Sequence, residues 1–558
     1  MDANRHVARI EEQAERELER LQRLAPLKVK DTAKHDMPVT ATVPQDAPDA
    51  ELVAVAIVDS EGKLRKQSDI LVDIGRRHDL FHDPDRNAYA KVGRRVFAVD
   101  SRDYREILVG AYYTLTNKGA NRNAVTDAIA TLAAQAKFSG PCHPVALRTG
   151  NDAGNIVIDA GDDRTLIVTA AGVLEALDSP VRFRRTSGML ALPKVGTPDF
   201  GRLWRYLNVR EDHRPLVAGF MLAALRPSGP YPLLILEGEQ GSGKSTATRI
   251  IRRLIDPSTA PLRAPPGDVR DLLVGALNGW LLALDNLSYL TPQLSDALCR
   301  LATGGAISER ALYTNTDEVL IEVQRPAIVN GIEDVATRPD LAERALHVEL
   351  EVIADCRSEA DLWATFEADA PAIFAGLLNG LAAAVRDHAS VKVGTLPRMA
   401  DFAQWSAAGM VPLGFTASTF MDCYRENLAV GQIAGIESSA VGSAVIDFIR
   451  QRGTWKGTAA DLLAELVRKV DEGETRSPHW PKSPRGLAAS LRKLAPAFRL
   501  ADVKIETERA TNRERSRIIR LCNQRSESSE SSTPSEVADD LDHLDGQNRA
   551  LDKSGRAR

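Results

Sequence analysis

Residues 231–246 read YPLLILEGEQGSGKST. The apolar run from Pro232 to Leu236 predicts a strand, and Thr246 to Ile255 continues as a helix. Between them Gly238-Glu239-Gln240-Gly241-Ser242-Gly243-Lys244-Ser245 matches G-x-x-x-x-G-K-[ST]. Glycines let the backbone curl so that successive N–H groups point at phosphate oxygens, and the helix N-terminus adds partial positive charge. The Lys244 ammonium reaches the β- and γ-phosphates, and the Ser245 hydroxyl completes the shell of Mg²⁺. The expectation is a nucleoside triphosphate site over residues 238–246, with ATP and Mg²⁺ as cofactors. The fold class that follows is α/β, a P-loop NTPase core.

The chain has 558 residues, more than one hydrophobic core usually serves, so about three domains are expected. Hydrophobic residues make up 44% and charged ones 26%, as in an ordinary water-exposed protein. The net charge is −5, so nucleic-acid binding requires local basic surfaces. Cys142, Cys299, Cys356, Cys423 and Cys522 form no C-x-x-C pair. That spacing argues against a disulfide scaffold or zinc and fits a reducing cytoplasm. The charged N-terminus is no secretory signal, and the Ala372–Val385 apolar stretch is too short for a bilayer, so no membrane partner is expected.

Six regions are expected. Residues 1–50 give a charged helix and a proline-containing linker. Residues 51–195 alternate strand-like and helical runs as an N-terminal α+β domain. Residues 196–350 form the ATPase core, and 351–435 a helical region. Residues 436–522 form a winged-helix-like domain, and 523–558 a polar, disordered tail. In the N-terminal domain IDAGDD reads as a turn rather than a metal-binding pair. His78, His82, Asp83 and Asp85 are a conceivable metal cluster.

A second apolar strand runs from Trp280 to Leu284 and ends in Asp285-Asn286. A carboxylate there holds Mg²⁺ through its waters, so Ser245 and Asp285 are the expected metal ligands. A third strand, Arg325 to Val329, ends in Asn330, whose amide could orient the attacking water. Between these lie Leu298 to Gly305 and Glu309 to Thr314. This order resembles superfamily 3 helicases, AAA+ ATPases of viruses, phages and plasmids, and is most similar to the primase–helicase type of phages and integrated mobile elements. The resemblance covers about 230–350. It implies a homo-oligomeric ring, commonly a hexamer, with ATP hydrolysed between subunits. The segment from Ala336 to Leu346 is similar to the family's arginine-finger segment, with Arg344 and Arg338 as the two alternatives. A primase or other replication partner is also implied.

Two positions depart from the family. Asn286 stands where many AAA+ enzymes carry a water-polarising Glu, so Glu239 or another carboxylate would have to serve. The central-channel hairpin, usually basic, is acidic at Asp317-Glu318, leaving Arg310 or Arg325 for the DNA phosphate contact.

Residues 440–522 read as three helices and a β-hairpin, the order of a winged helix. Over 447–520 there are 17 Lys+Arg against 10 Asp+Glu. Arg485, Ser490, Arg492 and Lys493 would lie on the major-groove helix. Arg509, Arg513, Arg515 and Arg517 would line the wing and meet phosphates. The expected function is an ATP-dependent DNA helicase or replication ATPase acting on single- and double-stranded DNA. The alternative is an ATP-switched initiator or loader without processive unwinding.

Overall fold

The structure, a computed structural model, describes residues 63–523 apart from 64, 288, 311–317, 332–337, 354–356, 438, 478–479 and 510–516. The expected N-terminal charged helix, the linker and the tail fall outside the described residues, as does the strand-like run at 52–58.

At the centre lies a four-stranded parallel sheet. In spatial order its strands are Leu282–Leu287, Ala327–Gly331, Leu233–Glu237 and Ala345–Glu349. Such strands are covered on both faces and read as near-continuous apolar runs, as LLILE and AIVNG do. Alternate side chains go to opposite faces. Leu234 and Leu236 join one core with the helices Arg214–Ala224, Lys244–Ile255 and Glu359–Asp387. Leu233 and Ile235 join another with Val269–Asn278 and Pro292–Thr303. Register pairs Leu236 with Asn330 and Leu284 with Val329, so three strands finish level beside Gly238. Parallel α/β sheets bind ligands at that end.

Residues 67–138 form a unit of their own: three helices on a three-stranded antiparallel sheet, around Ile70, Leu71, Tyr104, Leu108 and Leu132. The run at 88–98 folds as a hairpin, because Gly93 adopts φ 58° between its halves. A second antiparallel sheet spans 149–176, and its Ile156, Ile158, Leu166 and Val168 share one buried cluster with the Arg214–Ala224 helix. The division expected at 195 is therefore no break in packing. Asp159 lies in a strand and pairs with Arg185, while Asp162 and Asp163 turn the chain at φ 49° and 56°.

The Glu359–Asp387 helix is long and apolar enough to cross a membrane by composition, but 67% of that window is buried inside the protein. Downstream, helices Ala440–Arg452, Ala459–Lys469 and Pro484–Leu500 pack on a three-stranded antiparallel sheet of Thr454–Thr458, Arg517–Asn523 and Val503–Arg509. Thr454–Thr458 was not expected as a strand. It pairs with Arg517–Asn523 and ends where Thr458 and Asp461 form a capping box on the next helix.

Candidate functional site

The Leu233–Glu237 strand delivers the chain into a loop with Gly238, Gly241 and Gly243 at φ 145°, 87° and 84°. Side chains rarely tolerate that region, and a Cβ on Gly238 would lie 2.7 Å from the Leu350 carbonyl. Helix formation starts at Lys244, so the N–H groups of the first turn face the loop. Lys244 Nζ donates to the carbonyls of Gly238 at 2.6 Å and Glu239 at 2.9 Å. Ser242 is buried, and its Oγ has no hydrogen-bond partner. Glu239 and Gln240 are exposed at the rim, with Thr246 half-buried in the first turn of the helix.

Three strand ends converge on this loop. Ser245 Oγ donates to Asp285 Oδ1 at 2.8 Å. Past Asp285 the strand bulges, with Asn286 at φ 56° and exposed. Its N–H is held by Asn330 Oδ1 at 2.7 Å, and Asn330 Nδ2 donates to Thr248 Oγ1 at 3.3 Å. Thr248 in turn donates to the Lys244 carbonyl. Asn330, 2% exposed, keeps one amide hydrogen and one oxygen lone pair beyond these bonds. The sequence reading placed Lys244, Ser245, Asp285 and Asn330 at one site, and the structure brings them together. Thr248 was missed, although its place one helical turn beyond Lys244 was a usable signal. Also missed was His347, whose Nδ1 lies 2.8 Å from Glu237 Oε1; that link crosses 110 residues and leaves no local trace.

The two finger alternatives lie elsewhere. The Arg344 carbonyl accepts from Leu233 N–H at the opposite end of the sheet, about 16 Å along the strand from the loop. Its Nη1 donates to the Asp340 carbonyl. Arg338 donates to the Pro292 carbonyl at 2.7 Å and pairs with Asp296 at 2.9 Å. Arg325 is unavailable for the phosphate contact considered for it: its guanidinium lies over Trp280 at 5.1 Å and donates to the Ala276 and Gln324 carbonyls. Burial lowers its pKa from the ordinary value. Arg310 closes the Ala306–Arg310 strand, paired in register with Glu318.

On the Pro484–Leu500 helix, Leu487, Leu491, Leu494 and Phe498 face inward. Arg485 and Arg492 are exposed, and Ser490 is half-buried. Lys493 approaches Asp340 at 3.7 Å. Arg517 is exposed at the start of its strand, Arg509 ends the partner strand, and Arg513 and Arg515 fall outside the described residues.

The conceivable metal cluster does not assemble. His78 Nδ1 is 2.9 Å from the Tyr104 hydroxyl, and the Asp83 carboxylate accepts from the Asn87 backbone and side chain. Among the described residues no group of three or more His, Cys, Asp or Glu could hold a metal. A cavity of 410 Å³ opens between the 88–98 hairpin and residues 177–191. Six Lys and Arg line it against five Asp, so it offers little net field to an anion.

Residues 202–472 match the family model of the actinomycete integrative conjugative element replication protein, and residues 441–536 match that of the RepA C-terminal domain of these elements. Between them the two models match residues 202–536. The family segment thus begins ahead of the parallel sheet and runs through the basic C-terminal module. Among solved structures, the A form apo structure of the NrS-1 C-terminal region matches with a TM-score of 0.35 and 12% identity, covering 82% of this chain and 98% of that one. The apo structure of NrS-1 residues 305–718 matches at 0.34 and 12%, with the same coverage. No curated protein matches the chain.

Proposed function

We propose that this mobile-element replication protein is a Mg²⁺-dependent ATPase whose parallel sheet is a P-loop core of the superfamily 3, AAA+ kind. The observation that carries the reading is the Ser245–Asp285 contact at 2.8 Å, beside a loop whose three glycines turn its backbone around Lys244. The loop N–H groups and Lys244 would bind the triphosphate, and the ammonium would exchange its two loop carbonyls for phosphate oxygens. A hydroxyl and a carboxylate are hard oxygen donors that fit Mg²⁺, which supplies charge neutralisation at the β,γ-phosphates. Asn330 fixes the Asn286 backbone, so the rim of the site is rigid where water must be aligned.

Neither Arg338 nor Arg344 lies at its own subunit's loop, which supports a finger acting in trans within a homo-oligomeric ring, on a hexameric plan. The 440–523 module reads as a winged helix, with Arg485 and Arg492 on the groove-facing helix and Arg517 on the wing. Helicase action in replication, on single- and double-stranded DNA, is the first reading. Asn286 favours the second, an ATP-switched initiator or loader, because an amide accepts no proton and turnover would be slow.

The deciding experiment is ATP hydrolysis with and without single-stranded DNA, together with the mass of the assembly. Arg344→Ala and Lys244→Ala subunits, each inactive, should recover activity when mixed, because an intact loop then meets an intact finger. No recovery with mixed assembly confirmed would turn the assignment to Arg338. Absence of hydrolysis under all conditions, with ATP bound, would favour the switch.

A further inference from the structure

The Ala345–Glu349 strand lies at the sheet's edge, and the Ala417–Glu437 helix packs along it. Asn427 on that helix is 5% exposed and bonds both backbone groups of His347. Its Oδ1 accepts from the His347 N–H at 2.9 Å, and its Nδ2 donates to the His347 carbonyl at 2.5 Å. One turn on, Gly431 makes room for the imidazole; a Cβ there would sit 3.0 Å from His347 Cδ2 and Nε2. The imidazole in turn bonds Glu237, the residue before Gly238.

The same helix reaches the C-terminal module. Ile436 is fully buried in that module's core, nine residues from Asn427 and so about 13.5 Å along the axis. The helix also packs against Pro339–Ala342 and against Pro484–Leu500. Those two segments meet where Lys493 Nζ lies 3.7 Å from Asp340 Oδ2.

We propose that the Ala417–Glu437 helix couples the nucleotide site to the nucleic-acid-binding module, with Asn427–His347 as one contact and Lys493–Asp340 as the other. This rests on the Mg²⁺–ATP reading above. When Lys244 leaves the Gly238 and Glu239 carbonyls for phosphate, the loop's entry residue Glu237 and its partner His347 are displaced together. Two backbone bonds prevent His347 from moving without Asn427, and the helix carries that movement to Ile436. From the other side, a DNA phosphate competes with Asp340 for Lys493. A mere splint that satisfies the edge strand's backbone would contribute stability without linking the two ligands.

The test uses the full chain, a labelled mixed-sequence duplex and a non-hydrolysable ATP analogue with Mg²⁺. The analogue should change duplex affinity by about 5- to 150-fold, and the duplex should change analogue affinity by the same factor, since coupling is reciprocal. Asn427→Ala should bring that factor close to one while each ligand alone binds within about threefold of the parent. Asp340→Asn alters an exposed side chain and keeps the fold; it should also shrink the factor and strengthen duplex binding without analogue. A folded Asn427→Ala protein with the parent factor would overturn the proposal. If Asn427→Ala does not fold, an unchanged factor in Asp340→Asn would do the same. A parent that binds both ligands without mutual effect removes this proposal alone, whereas failure to bind the analogue removes the Mg²⁺–ATP reading and this proposal with it.

Discussion

Around residue 256 two arginines and an aspartate are almost wholly enclosed: Arg148 is 1% exposed, Arg252 2% and Asp256 1%. One Asp256 oxygen accepts from Arg148 Nε at 3.0 Å, and the other from the backbone N–H groups of Trp280 and Leu281. In the C-terminal module Arg485, Arg492 and Arg517 instead stand in solvent. The difference separates two uses of charge. Enclosed ions fix positions, here joining the 149–176 sheet, the end of the loop helix and the start of the Asp285 strand. Exposed cations in the nucleic-acid role proposed for these three would act through their number, because backbone phosphates form a continuous target that tolerates small displacements.

Removing an enclosed partner should have the largest effect. Asp256→Ala leaves Arg148 buried without its carboxylate, so we expect a loss of about 3–5 kcal/mol, read as a lower denaturation midpoint. A midpoint near the parent's would mean that water reaches the site and that the contrast is one of degree. Next come the loop changes, which on the Mg²⁺–ATP reading remove charge at the reacting phosphates without exposing a core. Lys244→Ala and Asp285→Ala should each cut hydrolysis by about 10²–10³-fold or more, with the thermal midpoint unchanged. Hydrolysis at the parent rate would displace the site from this loop.

The exposed cations should respond additively. Each of Arg485→Ala, Arg492→Ala and Arg517→Ala that removes a phosphate contact should lower the log–log salt slope for duplex binding by about 0.9. DNA-free hydrolysis should be unaffected. A change at Arg492 that alters preference between sequences would instead place it on base edges. The smallest effect is expected at Arg476, whose pairing with Glu472 spans one exposed helical turn; Arg476→Ala should leave both melting and DNA binding unchanged.

What could be read from the sequence follows the same division. The phosphate-binding role proposed for the loop requires glycines, lysine and hydroxyl within eight residues, a pattern legible locally, and Asp285 and Asn330 are legible as polar ends of apolar strands. Contacts between distant residues left no such imprint. Arg325 reads as a free cation until Trp280, 45 positions earlier, lies beneath it. Arg148 and Asp256 are separated by 108 positions. The Thr454–Thr458 strand carries Gly457 and only one buried residue, Trp455, too little alternation to read as a strand; the pairing strand supplies its reason to be extended.

The buried cluster that runs from Leu147 through the Arg214–Ala224 helix to Tyr424 also bears on recombination. A crossover at residue 195 would separate Ile156, Ile158, Leu166 and Val168 from the rest of the core they pack in, and mismatched volumes there would cost stability. Crossovers near 139–144 fall between this cluster and the separate core of Ile70 to Leu132, and would leave both intact. The smallest portable unit containing the loop would therefore begin near residue 145 rather than at the start of the parallel sheet.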